Sequence, residues 1–69
     1  MPRDLKPSKV LKALHRAGFE IDHTTGSHYI LKRGSVRTSV PYHKTIKTGT
    51  LKSILTQTGL TVDEFIGLL

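Results

Sequence analysis

The sequence predicts an α+β fold in the order α-β-β-β-α-α. A three-stranded antiparallel sheet carries the helices on one face and leaves its other face open to solvent. Apolar residues recur at helical spacing near both ends of the chain, which predicts the helices. The middle holds short runs rich in β-branched and aromatic residues, separated by Gly26 and by Gly34-Ser35. We expect residues 1–69 to form one small domain with a thin core.

The first helix is predicted over residues 7–17. Pro7 suits the first helical position, where a missing N–H costs nothing. Gly18 can adopt the left-handed conformation that ends a helix, and Phe19 would then fold back onto Leu14. The apolar stripe of this helix consists of Val10, Leu11, Leu14 and Ala17.

Three short strands are predicted to follow, at Phe19–Thr24, Ser27–Arg33 and Val36–Val40. The gap at Gly34-Ser35 is short enough for a hairpin. Pro41 ends the third strand because it has no N–H to donate to a central ladder. Residues 42–47 then form a polar connection.

The second helix is predicted from Thr48 to Thr58, and Gly59 is expected to close it. Its buried stripe consists of Leu51, Ile54 and Leu55.

The last helix, Val62 to Leu68, begins with the clearest local signature in the chain. Thr61 and Glu64 have the spacing of a capping box, and Leu60 with Phe65 makes the flanking hydrophobic staple. The carboxylates near this helix start therefore have a structural explanation and are not assigned to catalysis. We expect the apolar side chains of Ile66, Leu68 and Leu69 to pack on the second helix.

Composition narrows the class of function. The formal net charge of +6 and the isoelectric point of about 10.1 favour nucleic acid or another polyanion as a partner. The absence of cysteine excludes disulfides, thiolate zinc sites and a cysteine nucleophile. No run approaches the ~20 apolar residues of a membrane span, and no signal peptide is recognisable, so a cytoplasmic location is expected.

Charge is also unevenly distributed along the chain. Residues 23–62 contain no Asp or Glu. The same stretch contains three histidines and the cations Lys32, Arg33, Arg37, Lys44, Lys47 and Lys52. This pattern predicts a field of unopposed positive charge suited to a polyphosphate substrate, with Lys32, Lys44 and Lys47 as the phosphate-binding candidates. The start of the second helix, near Gly49, would add a phosphate site if it faces the same groove.

His28 is the leading catalytic candidate. It follows the turn residues Gly26 and Ser27 at the start of a strand, where its backbone is held and its ring can be exposed. Imidazole exchanges protons near neutral pH, which is what attack of an RNA 2′-hydroxyl on its own phosphodiester requires, without any metal. The alternative is a structural histidine, because strand alternation places His28 on the same face as Ile30.

The remaining histidines are weaker candidates. His43 follows Pro41 and is either a second proton-transfer group, a phosphate donor or an exposed loop residue. His15 and His23 have no chemical neighbour in sequence. Asp22, His23 and His28 match no familiar zinc spacing, so no metal site is expected. Of the aromatics, Tyr42 is a candidate for stacking on a base, whereas Tyr29 is expected to pack in the core.

Several motifs occur together, in order, from Pro7 to Leu68. They are Leu14-x-x-Ala17-Gly18-Phe19, Gly26-Ser27-His28, Val40-Pro41-x-His43 and Lys47-x-Gly49-Thr50-Leu51-x-x-Ile54-Leu55-x-x-x-Gly59-Leu60. With this set the chain resembles the HicA family of mRNA interferase toxins. Gly-Ser-His alone is too short to identify a family, but the combination is specific.

The resemblance implies a fold like that of the double-stranded RNA-binding domain, with an extra C-terminal helix. It implies an endoribonuclease that cleaves mRNA with a single catalytic histidine, His28, and without a metal or other cofactor; the family's glycine falls on Gly26. It also implies an antitoxin partner, HicB, which masks that histidine and supplies the DNA binding that represses the operon.

Two other functions fit the residues themselves. One is a non-catalytic module that binds structured RNA through shape and phosphate contacts. The other is a protein-interaction subunit with a basic face made for an acidic partner.

Overall fold

The computed structural model describes residues 2–69, and within them the chain forms three helices and three strands. The elements are α1 (Pro7–Arg16), β1 (Glu20–Thr25), β2 (His28–Arg33), β3 (Val36–Pro41), α2 (Thr48–Thr58) and α3 (Val62–Leu68). The strands pair antiparallel in the order β1-β2-β3. This confirms the predicted α+β order, and it is the arrangement of the double-stranded-RNA-binding-domain-like fold with one additional helix.

Both hairpins turn on a Gly-Ser pair. Thr25 pairs with His28 around Gly26-Ser27, and Arg33 pairs with Val36 around Gly34-Ser35. Gly26 has φ 56° and Gly34 has φ 60°, whereas neither serine has a positive φ. A positive φ at the first central residue only is the pattern of a type II′ turn, which matches the twist of the strands it joins. The short gaps seen in the sequence therefore set the register of the residue pairs next to each turn.

The helix ends follow the predicted local chemistry. Gly18 has φ 95° and the Phe19 N–H donates to the Leu14 carbonyl at 3.0 Å, which ends α1 and delays the start of β1 to Glu20. At α3, Glu64 N donates to Thr61 Oγ1 at 3.1 Å, and Thr61 N donates to Glu64 Oε1 at 2.9 Å. The capping box predicted from the sequence is confirmed.

The core lies between the helices and the inner face of the sheet. Its largest fully buried side chains come from every helix, from β2 and β3, and from the connections: Val10, Leu14, Phe19, Leu31, Val40, Ile46, Leu51, Ile54 and Phe65. Thr38 is a buried polar residue in β3, and its hydroxyl donates to Gln57 Oε1 of α2 at 2.6 Å. This bond satisfies a group whose desolvation would otherwise be costly.

The position of α3 corrects one expectation. This helix packs mainly against α1, not α2. Phe65 is its buried residue, while Ile66 and Leu69 are 45% and 43% exposed. The Arg16 guanidinium of α1 donates to the Leu68 carbonyl at 2.7 Å, so α1 also satisfies the end of α3. A helix of two turns buries one face only, and the sequence did not reveal which neighbour that face would meet.

None of the helices within residues 2–69 has the length and apolar character needed to cross a lipid bilayer.

Candidate active site

The turn at Gly26-Ser27 presents His28 at the rim of the sheet. His28 is the first residue of β2, and it pairs with Thr25 on one side and Pro41 on the other. Its side chain is exposed, and no side-chain hydrogen bond engages it within residues 2–69. It does share a face with Ile30, but that face is the open one, since Leu31 is buried on the opposite side. The His28 ring is therefore not packed in the interior.

The connection after β3 lies against the same turn. Pro41 has no N–H, so the ladder is continued by Tyr42, whose amide donates to the Ser27 carbonyl at 2.6 Å. This bond places His43 beside the turn, with its Nε2 3.5 Å from Ser27 Oγ. The imidazole rings of His28 and His43 have centroids 6.1 Å apart and planes inclined at 73°. Two of the three histidines of the acid-free stretch thus lie together.

Both histidines were candidates from the sequence, but their proximity was not predicted. The register of the β2–β3 hairpin would have predicted it. A two-residue turn at Gly34-Ser35 pairs Arg33 with Val36, and counting outward along both strands brings His28 opposite Pro41. One step further, Ser27 meets Tyr42.

Two tyrosines flank this region. The rings of Tyr29 and Tyr42 have centroids 5.0 Å apart with a tilt of 37°, an attractive aromatic geometry. Tyr29 is half-buried and packs against the core, as predicted, whereas Tyr42 is 46% exposed. Tyr42 therefore offers an accessible aromatic surface one residue from His43.

The three predicted phosphate-binding lysines differ in their surroundings. Lys44 follows His43, is exposed, and forms no ion pair with any carboxylate of residues 2–69. Lys47 Nζ lies 3.8 Å from Asp4 Oδ1, and both side chains are highly exposed. Lys32 lies at the other end of β2 from His28, and its Nζ is 3.2 Å from Asp22 Oδ1. Lys44 is the free cation nearest in sequence to the two histidines.

The prediction that the cations of residues 23–62 are unopposed is wrong for Lys47, which faces Asp4, and for Lys32 and Arg37. The pairing of β1 with β2 shifts between Ile21 and His23, which leaves Asp22 as the extra residue of a β-bulge. Asp22 Oδ2 lies 3.2 Å from Arg37 Nη1, in addition to its contact with Lys32. One carboxylate just outside the acid-free stretch thus reaches two cations inside it.

The bulge also explains the position of His23. Adjacent residues of a regular strand point to opposite faces, but here His23 Nδ1 lies 2.8 Å from Asp22 Oδ2. Hydrogen bonds from His23, then Lys32 and Arg37, hold the pKa of the Asp22 carboxyl well below its ordinary value of 3.8. His23 therefore belongs to this surface cluster and is not a free proton-transfer group.

Arg33 has a structural role. Its Nη1 donates to the Ala17 carbonyl at 2.8 Å, and its guanidinium carbon lies 4.6 Å from the centroid of the Phe19 ring. The cation–π contact and the hydrogen bond hold the end of β2 against the end of α1.

One further surface lies away from His28. An open groove of about 660 Å³ between α1 and the sheet is lined by four apolar residues, Leu11, Phe19, Ile21 and Leu31, and by four polar ones, Lys12, His15, Arg16 and Glu20. It lies at the Glu20 end of the sheet, opposite the end that carries His28.

Within residues 2–69, no group of three or more His, Asp or Glu side chains has the arrangement of a metal site.

The comparison with known proteins agrees with these features. A family model described as the HicA toxin of bacterial toxin–antitoxin systems matches residues 7–60, from the first residue of α1 through the end of α2. No significant match was found among curated proteins. The matched range contains the Gly26-Ser27-His28 turn, the loop that carries His43, and all three strands. The chain therefore belongs to the HicA family of toxins of bacterial toxin–antitoxin systems.

Proposed function

We propose that this toxin is an endoribonuclease that cleaves mRNA, with His28 as a proton-transfer group. The observation that carries the proposal is the exposed imidazole of His28 at a rim where its backbone is held by pairs on both sides. An imidazole that is fixed yet accessible can exchange a proton with a substrate bound on the open face.

The chemistry needs no metal. In RNA the nucleophile is the 2′-hydroxyl next to the scissile phosphate, so the protein does not have to activate a water molecule. One positioned acid or base is worth about 10²–10⁴ in rate. We expect Lys44 to hold the phosphate. The small residues Gly26 and Ser27 let the RNA backbone approach the turn closely. Lys32 and Lys47 contribute more weakly because each already faces a carboxylate.

The test compares wild type, His28→Ala and His15→Ala on a defined RNA, with a chelator present throughout. His15 is an exposed histidine on α1, near the opposite end of the sheet, and serves as the matched control. We expect His28→Ala to keep the wild-type circular dichroism spectrum, to lose at least about 100-fold in cleavage, and to lose toxicity in cells. His15→Ala should retain activity.

Two results would contradict the proposal. Full activity of folded His28→Ala would remove His28 from the chemistry. Salt-dependent RNA binding by the wild type, with no cleavage products at any concentration, would make the protein a non-catalytic RNA-binding module instead.

We further propose that a HicB-type antitoxin covers the His28 rim and that operator DNA is bound only through that partner. Family membership supports a partner of this kind. Adding the antitoxin should block RNA cleavage, and DNA binding should appear with the complex but not with the toxin alone. An antitoxin complex that still cleaves RNA at the wild-type rate would show that the rim stays open.

A further inference from the structure

We propose that His43 is the second proton-transfer group of the ribonuclease, acting on the same phosphodiester as His28. The proposal rests on the ribonuclease activity proposed above and replaces the expectation of a single catalytic histidine. It starts from one juxtaposition: two exposed imidazoles from different parts of the chain, with ring centroids 6.1 Å apart.

The spacing suits two groups that share one substrate. An acid or base acts on an oxygen about 2.6–3.2 Å away. Imidazoles that serve the two opposite oxygens of one phosphate must therefore lie several ångströms apart and not touch. His28 and His43 meet this condition, and their inclination of 73° means that they are not stacked face to face.

His43 has a fixed backbone, but within residues 2–69 its ring has only one side-chain contact at hydrogen-bond distance. The bond from Tyr42 N to Ser27 O fixes the backbone one residue before it, and Ser27 Oγ lies 3.5 Å from its Nε2. Its other ring nitrogen, Nδ1, forms no hydrogen bond within residues 2–69. His43 thus combines a positioned backbone with a nitrogen that is available to a substrate. The titratable neighbours on this loop are Tyr42 and Lys44, and Tyr29 and His28 face it from β2.

Two imidazoles complete the proton balance of RNA transphosphorylation. One takes the proton of the 2′-hydroxyl as its oxygen forms a bond to phosphorus. The other gives a proton to the 5′-oxygen as the bond from phosphorus to that oxygen breaks. The products are a 2′,3′-cyclic phosphate and a 5′-hydroxyl, with no water, metal or oxidant consumed. The proposal therefore predicts the product ends and requires a 2′-hydroxyl at the cleaved position.

The test uses His28→Gln and His43→Gln, which keep a polar side chain of similar length but cannot transfer a proton near neutral pH. His15→Gln is the matched control. Each protein is assayed on RNA and on the same RNA with sulfur replacing the bridging 5′-oxygen. A thiol is far more acidic than an alcohol, so a sulfur leaving group departs without protonation. A variant that lacks the general acid is thus rescued, whereas one that lacks the base is not.

We expect both glutamine variants to lose at least about 100-fold on ordinary RNA, and one of the two to recover on the sulfur substrate. His15→Gln should match the wild type on both. A substrate with 2′-deoxyribose at the cleaved position should remain intact.

Other results would overturn the proposed role of His43, and they can be distinguished from a failure of the proposed role of His28. If His28→Gln is inactive while His43→Gln keeps wild-type activity, His28 acts and His43 does not. If His43→Gln is slow but neither variant is rescued, His43 only positions the loop. If His28→Gln is fully active, the catalytic role of His28 is wrong. That result differs from a loss of the His43 role alone, so the two proposals can fail separately.

Discussion

The amide of Tyr42 donates to the carbonyl oxygen of Ser27 across 2.6 Å, and this bond joins the two segments that carry the site's histidines. It extends the ladder between β2 and β3 by one step beyond Pro41, which has no proton to donate. The geometry of the site therefore depends on the shape of the Gly26-Ser27 turn, because that turn sets the direction of the Ser27 carbonyl.

Gly26→Ala should destabilise the protein. Gly26 has φ 56°, where a side chain is strained even though a Cβ would meet no atom within 4 Å. The strain is worth roughly 1–2 kcal/mol, and each kcal/mol lowers Tm by about 4–8 °C in a domain of this size. Gly49→Ala is the matched control, since its Cβ also meets nothing and its φ is not positive. Thermal unfolding of both variants checks this, and equal Tm values would argue against a strained turn.

Lys44→Ala should weaken RNA binding more than Lys32→Ala does. Lys44 faces no carboxylate within residues 2–69, whereas Lys32 is already paired with Asp22 at 3.2 Å. In a His28→Gln background, which prevents cleavage, each lost phosphate contact should reduce the slope of log affinity against log salt by about 0.7 for single-stranded RNA. We expect this change for Lys44→Ala and a smaller one for Lys32→Ala. Equal changes would mean that RNA displaces Asp22 from Lys32.

Asp22→Asn should lower stability at neutral pH but not in strong acid. The folded-state pKa of Asp22 lies below its ordinary value of 3.8, so its ionised form stabilises the folded state. That contribution is fully present above about pH 4–5 and is lost as the pH falls through the lower, folded-state pKa. The measured quantity is the difference in Tm between wild type and variant from pH 7 down to pH 2.

Glu20→Gln provides the comparison for that series. Glu20 lies on the same strand, but its carboxylate forms no ion pair within residues 2–69. We expect it to leave the pH dependence of Tm nearly unchanged. An Asp22→Asn difference that is constant across the whole pH range would refute the stabilising role of the ionised carboxylate.

Thr61→Ala should cost about 1 kcal/mol of stability, because it removes the hydroxyl that accepts the Glu64 amide at 3.1 Å. Hydrogen bonding to the Thr61 amide, and then to the Thr61 hydroxyl, also lowers the pKa of the Glu64 carboxyl from its ordinary value. Thr56→Ala is the control: its hydroxyl donates to the Lys52 carbonyl within α2, and alanine is the better helix former there. Chemical denaturation of both variants measures the difference in free energy of unfolding. A Thr61→Ala protein as stable as Thr56→Ala would show that the capping box does not stabilise the fold.

The predicted features that were confirmed depend on hydrogen bonds between residues close in sequence. The end of α1 at Gly18 needs only the bond from Phe19 to Leu14, and the start of α3 needs only Thr61 and Glu64. The two-residue turns likewise depend on a glycine followed by a serine. Such features can be predicted because a few neighbouring residues determine both the backbone angles and the bonding partners.

The features that were missed depend on pairs of residues far apart in the chain. The packing of α3 on α1, the approach of Asp22 to Lys32 and Arg37, and the meeting of His28 with His43 all join different elements. Residue types and spacings alone specify the order of the elements, the turns and caps between them, and the family. Only the folded chain decides which cations stay free and which histidines meet. The bulge at Asp22, the course of the chain after β3 and the packing of helix faces set those distances, and each depends on contacts across the whole fold.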